Sequence, residues 1–204
     1  MIAIINYGVG NLFSLESSFN KLNFDVKITS DPDEIKNSDK IILPGVGAFG
    51  DAAEKLFNSG LAEILINQAH NGKLILGICL GMQLLFETSH EFGIYKGLGL
   101  IPGEVRAISE IIPKNLNLKI PQMGWNSLNI KRHDEILKNT SQNEFVYFVH
   151  SYSVRCPDEF ITSTTDYGAN IVASVSNKNI FGVQFHPEKS SDAGLKILKS
   201  FCEV

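Results

Sequence analysis

Residues Lys73–His90 read KLILGICLGMQLLFETSH, and the fold turns on how this stretch is taken. Leu74-Ile75-Leu76 is a short, wholly apolar run, the pattern of a strand buried on both faces of a parallel sheet. From Leu80 the period becomes helical, with Leu80, Gln83, Leu84, Leu85 and Glu87 drawn from good helix formers. Between the two lies Gly77-Ile78-Cys79-Leu80-Gly81. A strand that turns directly into a helix thrusts its central side chain out at the top of the sheet, and its neighbours must be small because a Cβ would collide with the turn. The helix N-terminus then directs free N–H groups and the positive end of its dipole at the sulfur, favouring thiolate. A lone cysteine is usually a packing residue. Two glycines at elbow spacing, after a strand and before a helix, make Cys79 a candidate nucleophile.

Upstream, strand and helix patterns alternate. Met1–Tyr7 reads as a strand and Asn11–Leu22 as a helix with Leu12, Leu15, Phe19 and Leu22 on one face. Asn23–Thr29 is a second strand, Ser30-Asp31-Pro32 a helix-start signal for a short turn through Ile35, and Lys40–Leu43 a third strand. The glycine-rich loop Pro44–Gly50 follows, then helical patterns over Asp51–Phe57 and Leu61–Asn71 broken at Gly60. Such alternation predicts a parallel sheet covered on both faces. From Leu98 the texture changes to short strands with polar turns: Leu98–Ile108, Trp125–Ile130, Phe145–Val154, Phe160–Thr165, Ile171–Ser176 and Ile180–Phe185. The expected architecture is a single α/β domain over residues 1–204, a mostly parallel central sheet flanked by helices with a more antiparallel second half, closed by a helix over Asp192–Phe201. Ligands of open α/β sheets bind at the carboxyl ends of the strands, so the loops after Leu43, Ile78 and Phe185 should converge.

Composition narrows the class. The chain has 204 residues, 44% apolar and 20% charged, with net charge −4, ordinary for a globular domain with one substantial core. Mild acidity and the lack of a basic run argue against nucleic acid, and no apolar run approaches the ~20 residues of a membrane helix. The N-terminal residues form a strand pattern with no basic leader, so they are read as no signal peptide. Cys79, Cys156 and Cys202 include no C-x-x-C, which suits a reducing cytoplasm and offers no cysteine zinc site.

A thiol of ordinary pKa, about 8.5, needs a neighbouring base at neutral pH. Of five histidines, His70, His90 and His133 lie in polar contexts and read as solvated, while His150 lies within a strand pattern as a core or edge residue. His186 differs, because it directly follows a strand and precedes Pro187 and Glu188. Proline keeps this segment extended, and side chains two apart then share a side, which sets Glu188 beside the imidazole as the third member of a triad. A charged turn after a strand is the plainer alternative; an elbow cysteine elsewhere in the chain weighs against it. A zinc deaminase also carries H-x-E, but needs a downstream P-C-x-x-C that is missing here.

Gly45-Val46-Gly47-Ala48-Phe49-Gly50 matches the dinucleotide fingerprint G-x-G-x-x-G after a strand and before a helix. That fingerprint wants an acidic residue about 20 positions on, at the end of the next strand, and the count lands in a helical pattern. The loop equally suits an oxyanion hole, its Val46 and Gly47 amides pairing with that of Leu80.

With these residues in hand, the chain resembles the class I (triad) glutamine amidotransferases. Asn6–Asn11, Gly97–Gly103, Pro121–Asn126, Phe148–Tyr152 and Gly182–Ser190 are similar, more narrowly, to the glutaminase subunits of imidazole glycerol phosphate synthases, and the likeness runs end to end. It implies that Cys79 attacks the amide of glutamine, with His186 relaying protons and Glu188 orienting it. It further implies that Gln83, Glu91, Ser151 and Tyr152 hold glutamine, Glu91 taking its α-ammonium. No cofactor or metal is implied. Ammonia would pass to a (β/α)₈-barrel cyclase, the heterodimer partner in histidine biosynthesis, with Asn11, Trp125 and Lys189 facing it. Gln122 departs from the histidine usual at that position, and Ser109–Lys119 matches no motif. Two other readings of the elbow cysteine stay open here: an ammonia-supplying subunit for amidation of a surface-polysaccharide sugar, and a free-standing γ-glutamyl hydrolase. An inactive module that only supports a partner is a third, against which the intact triad argues. Gly45 and Gly47 would also permit a peptide flip that withholds an oxyanion N–H until the partner is loaded.

Overall fold

The computed structural model describes residues 1–204. In chain order the elements are β1 (Ile2–Ile5), α1 (Leu12–Lys21), β2 (Val26–Thr29), α2 (Pro32–Asn37), β3 (Lys40–Leu43), α3 (Phe49–Asn58), α4 (Leu61–His70), β4 (Leu74–Ile78) and α5 (Leu80–Leu84). The second half holds β5 (Phe86–Ser89), β6 (Tyr95–Lys96), β7 (Ile101–Ala107), β8 (Gln122–Ser127), β9 (Asn129–Ile130), β10 (Phe145–His150), β11 (Tyr152–Arg155), β12 (Ile161–Asp166), β13 (Asn170–Asn177), β14 (Ile180–Val183) and α6 (Ser191–Cys202). No helix is long and apolar enough to cross a membrane.

The central sheet runs β2-β1-β3-β4-β14-β13-β12-β9. Its first five strands are parallel and the last three antiparallel. Period-2 alternation explains its two covered faces. Ala3, Ile5, Ile41, Leu43 and Ile75 point into a core with Leu56, Leu61 and Leu65 of α3 and α4. Ile2, Ile4, Ile42, Leu76 and Ile78 point the other way, onto Leu15 and Phe19 of α1 and Ile197, Leu198 and Phe201 of α6. Local signals set the helix ends. Asp31 caps α2 by accepting from the Asp33 and Glu34 amides, with Pro32 in the first turn, and Gly60 takes φ +75° between α3 and α4.

Two expectations need correcting. The helix after Cys79 ends at Leu84, and Phe86–Ser89, Glu87 included, is a strand. It pairs in parallel with β7 in a separate four-stranded sheet, so ladder formation overrides the helix propensity of Leu85 and Glu87. β14 lies between β13 and β4, antiparallel to the first and parallel to the second with Val183 opposite Ile78. That insertion places the segments carrying Cys79 and His186 side by side. Secondly, Pro187–Lys189 forms one 3₁₀ turn, not an extended segment.

Candidate active site

Cys79 has φ +55° and ψ −111° between β4 and α5. A non-glycine residue held there is strained, and such strain gathers at functional positions. Close packing enforces it. A Cβ on Gly77 would stand 2.7 Å from the Gly81 carbonyl oxygen, and one on Gly81 would run into the Leu43 carbonyl. The Cys79 amide donates to Val183 O at 2.8 Å, so β14 holds the elbow from the side.

His186 sits at the end of the strand-like run that leaves β14, its own amide donating to Tyr147 O at 2.9 Å. The 3₁₀ turn swings Glu188 back, and His186 Nδ1 lies 2.8 Å from Glu188 Oε1 with both side chains almost wholly buried. A carboxylate only accepts, so Nδ1 carries the proton and Nε2 faces the sulfur. Burial pulls the His186 pKa down, but hydrogen bonds to Cys79 and Glu188 outweigh it and raise it to about 10. An imidazolium so placed favours a thiolate opposite it. Glu188 Oε2 is buried with no hydrogen-bond partner.

A cavity of about 300 Å³ opens over the sulfur, lined by Val46, Gly47, Cys79, Leu80, Gln83, Glu91, Pro121, Val149, His150, Ser151, Tyr152 and His186. Every residue assigned from sequence to the triad, the oxyanion hole or the glutamine is therefore at this cavity, save Glu188 behind the imidazole. Leu80 opens α5, where a first-turn N–H has no intrahelical acceptor. In the 44–48 loop, Gly45 is fixed by close approach: a Cβ would lie 2.8 Å from the Tyr7 hydroxyl and 2.9 Å from Gly81 N. Gly47 has φ +95°. The loop thus wraps the elbow.

Glu91 Oε2 accepts from the Phe49 amide at 2.8 Å, and burial raises the Glu91 pKa. Gln83 Nε2 donates to Tyr152 O and to Gln184 Oε1, both at 3.1 Å, which commits both amide protons and leaves Oε1 to accept from a bound molecule.

Other histidines resolve differently. His70 and His133 are exposed, whereas His90 is half-buried with Nε2 3.1 Å from Glu104, so the solvated reading of it is corrected. His150 is a core residue that sequence did not assign to the site. Its Nδ1 lies 2.8 Å from Tyr152 O, its Nε2 3.0 Å from the side-chain amide of Gln122, and burial lowers its pKa to about 4. Gln184, fully buried with Nε2 3.8 Å from Cys79 Sγ, was also missed. Of the residues assigned to a partner, Asn11 and Lys189 are exposed and Trp125 is 49% exposed, all outside the cavity.

Such an arrangement can attack a carbonyl carbon, stabilise the resulting oxyanion and protonate an amine leaving group. Comparison with known proteins agrees with that chemistry. The model of the family described as glutamine amidotransferase class-I matches residues 3–204. Over its whole length the chain is 47% identical to imidazole glycerol phosphate synthase subunit HisH of Listeria monocytogenes serotype 4b, covering 96% of that protein. It is 49% identical to the subunit of the same name from Caldanaerobacter subterraneus subsp. tengcongensis, covering 100% of this chain and 98% of that one. Among solved structures, a glutamine amidotransferase at 14% identity superposes with a TM-score of 0.77 over 100% of this chain and 98% of its own. PurLQS from Thermotoga maritima, at 20% identity, gives 0.74 over 99% and 97%; both are likenesses of fold. With an elbow cysteine facing a His–Glu pair and a family match from end to end, this chain belongs to the class-I glutamine amidotransferases.

Proposed function

We propose that this chain is the glutaminase subunit of an imidazole glycerol phosphate synthase, hydrolysing glutamine at Cys79 and passing the ammonia to a (β/α)₈-barrel cyclase in histidine biosynthesis. The observation that carries the chemistry is the Cys79–His186–Glu188 alignment under one cavity; full-length identity to the two HisH subunits supports the pathway. The thiolate attacks the side-chain amide carbon, and amides of Leu80 and of Val46 or Gly47 receive the oxyanion. His186 gives its proton to the departing nitrogen, ammonia leaves, and a γ-glutamyl thioester remains. Water then attacks with His186 as base, glutamate leaves and the thiolate returns. Gln83, Glu91, Ser151 and Tyr152 hold the substrate.

A surface fit for a partner lies beside the cavity. Met123, Trp125 and Phe145 are exposed on one face of the β8–β10 ribbon. Trp125 packs edge-on to Tyr147 at 6.1 Å, and Lys189 Nζ lies 6.0 Å from that ring. Exposed aromatic and cationic groups of this kind are typical interface anchors. We assign this face, with Asn11, to the cyclase.

The test is to combine the purified chain with the cyclase subunit of its source and follow glutamate and ammonia-derived product together. Glutamate release should rise on complex formation and match product one for one. Fast release by the isolated chain, indifferent to the cyclase, would establish the free-standing hydrolase instead.

For Glu91 the expected result is a KM effect. Glu91→Gln removes an ionic hydrogen bond worth about 1.5–3 kcal/mol, so KM for glutamine rises about 10- to 100-fold with kcat little changed. Because the Glu91 pKa is raised, wild-type KM should climb on acidification above the ordinary carboxylate range, and the variant should lose that limb. Steady-state kinetics against pH checks both.

A further inference from the structure

From the hydrogen bonds around the sulfur we infer that Gln184 is a further donor to the reacting atom, a side-chain amide that stabilises the Cys79 thiolate from within the core. The inference rests on Cys79 being the nucleophile.

The orientation of the Gln184 amide follows from its neighbours. Tyr152 O is a backbone carbonyl and can only accept. The Gln83 atom 3.1 Å from it is therefore the nitrogen, and the same Nε2 lies 3.1 Å from Gln184. The Gln184 atom facing that donor must be its oxygen, which leaves its N–H₂ directed at the sulfur, 3.8 Å away. Gln184 is wholly buried, so water cannot compete for that N–H, and a buried amide has a strong incentive to find an acceptor. Cys79 Sγ has one other heavy-atom neighbour of hydrogen-bonding type besides His186, the Val149 carbonyl at 4.0 Å. Only a protonated sulfur can donate to that carbonyl. Gln184 and the imidazole are both donors, and a thiolate accepts from both at once. A hydrogen bond given to the charged form favours that form. Gln184 does not line the cavity, so its effect should fall on reactivity and not on glutamine affinity.

The experiment compares wild type, Gln184→Met and Gln184→Leu, each checked by near-ultraviolet circular dichroism and thermal melting. Thiolate formation is followed by absorbance near 240 nm against pH, with Cys79→Ala as the blank. Carbamidomethylation of Cys79 by iodoacetamide is followed by peptide mass. Burial pushes Cys156 up to about 11 and Cys202 to about 12, so both serve as slow internal references. Loss of the amide donor should move the Cys79 midpoint upward. At a pH below that midpoint it should slow carbamidomethylation by about 3- to 10-fold, with kcat falling and KM nearly unchanged. An unchanged midpoint and alkylation rate in a folded variant, even one that melts earlier, overturns the inference and leaves the nucleophile in place. Wild-type Cys79 reacting no faster than Cys156 overturns the nucleophile itself, and this inference with it.

Discussion

Cys79→Ala is expected to lower glutamate release by about 10⁴-fold or more, the order seen when a covalent nucleophile is removed from a triad. Cys79 is the one thiol in the cavity. Gln83 has spent its amide protons on Tyr152 and Gln184, and His150 is held neutral by burial with Nδ1 bonded to Tyr152 O. Alanine also fits the space, so the loss should come without unfolding. In the complex, product formation from added ammonia should persist while that from glutamine disappears. This separates a lost nucleophile from a lost partner. Retention of partner-stimulated glutamine turnover by Cys79→Ala would dispose of the assignment.

The second large effect is expected from Glu188→Gln, at about 10² to 10⁴-fold in kcat with little change in KM, since removing a triad carboxylate leaves binding intact but disturbs the tautomer and charge of the base. Glu188 Oε1 accepts from His186 Nδ1 at 2.8 Å, in a site where both side chains are nearly inaccessible. The sign of the pH effect follows from the His186 pKa. Cys79 and Glu188 together raise it to about 10, so removing the anion lowers it. The imidazolium that must protonate the departing ammonia is then lost at lower pH, and the alkaline limb of the kcat profile should move in that direction. Buried Oε2, which has no partner, becomes an unsatisfied N–H₂ if the glutamine turns that way, so a loss of stability on the order of 1–3 kcal/mol is expected as well. Chemical denaturation measures that loss separately from the kinetics. A variant within threefold of wild type in kcat would show that His186 needs no carboxylate.

Much of this was legible in the chain because the informative signals are local. Lys40–Leu43 and Leu74–Ile78 are buried nearly throughout, and a strand covered on both faces must be apolar at every position. Asp31 and Pro32 announce α2 by their own chemistry. The elbow is written in Gly77 and Gly81 because only glycine tolerates the neighbouring carbonyls. What the sequence hid is long-range. Phe86–Ser89 became a strand because β7, more than ten residues on, offers it a parallel ladder, and helix formers carry no sign of that. The place of β14 beside β4 depends on a partner about a hundred residues earlier. Gln184 looks like any polar residue in a strand until Gln83, Tyr152 O and the sulfur are seen around it. His150 and Gln122 hide each other in the same way, each satisfying a buried neighbour across the ribbon. His186 and Glu188 do meet, but by a different local route: Glu188 reaches the ring through a tight turn after Pro187, not through an extended alternation.

The seat of β14 also fixes when this protein can begin to work. A ribosome releases the thiol long before it releases the imidazole, and a nascent chain lacking Ile180–Val183 has no carbonyl to grip the Cys79 amide. Pairing so distant in sequence is slow to form. Glutamine in the surrounding fluid is therefore spared by unfinished copies, which lack both the carbonyl that grips the elbow and the imidazole that follows it.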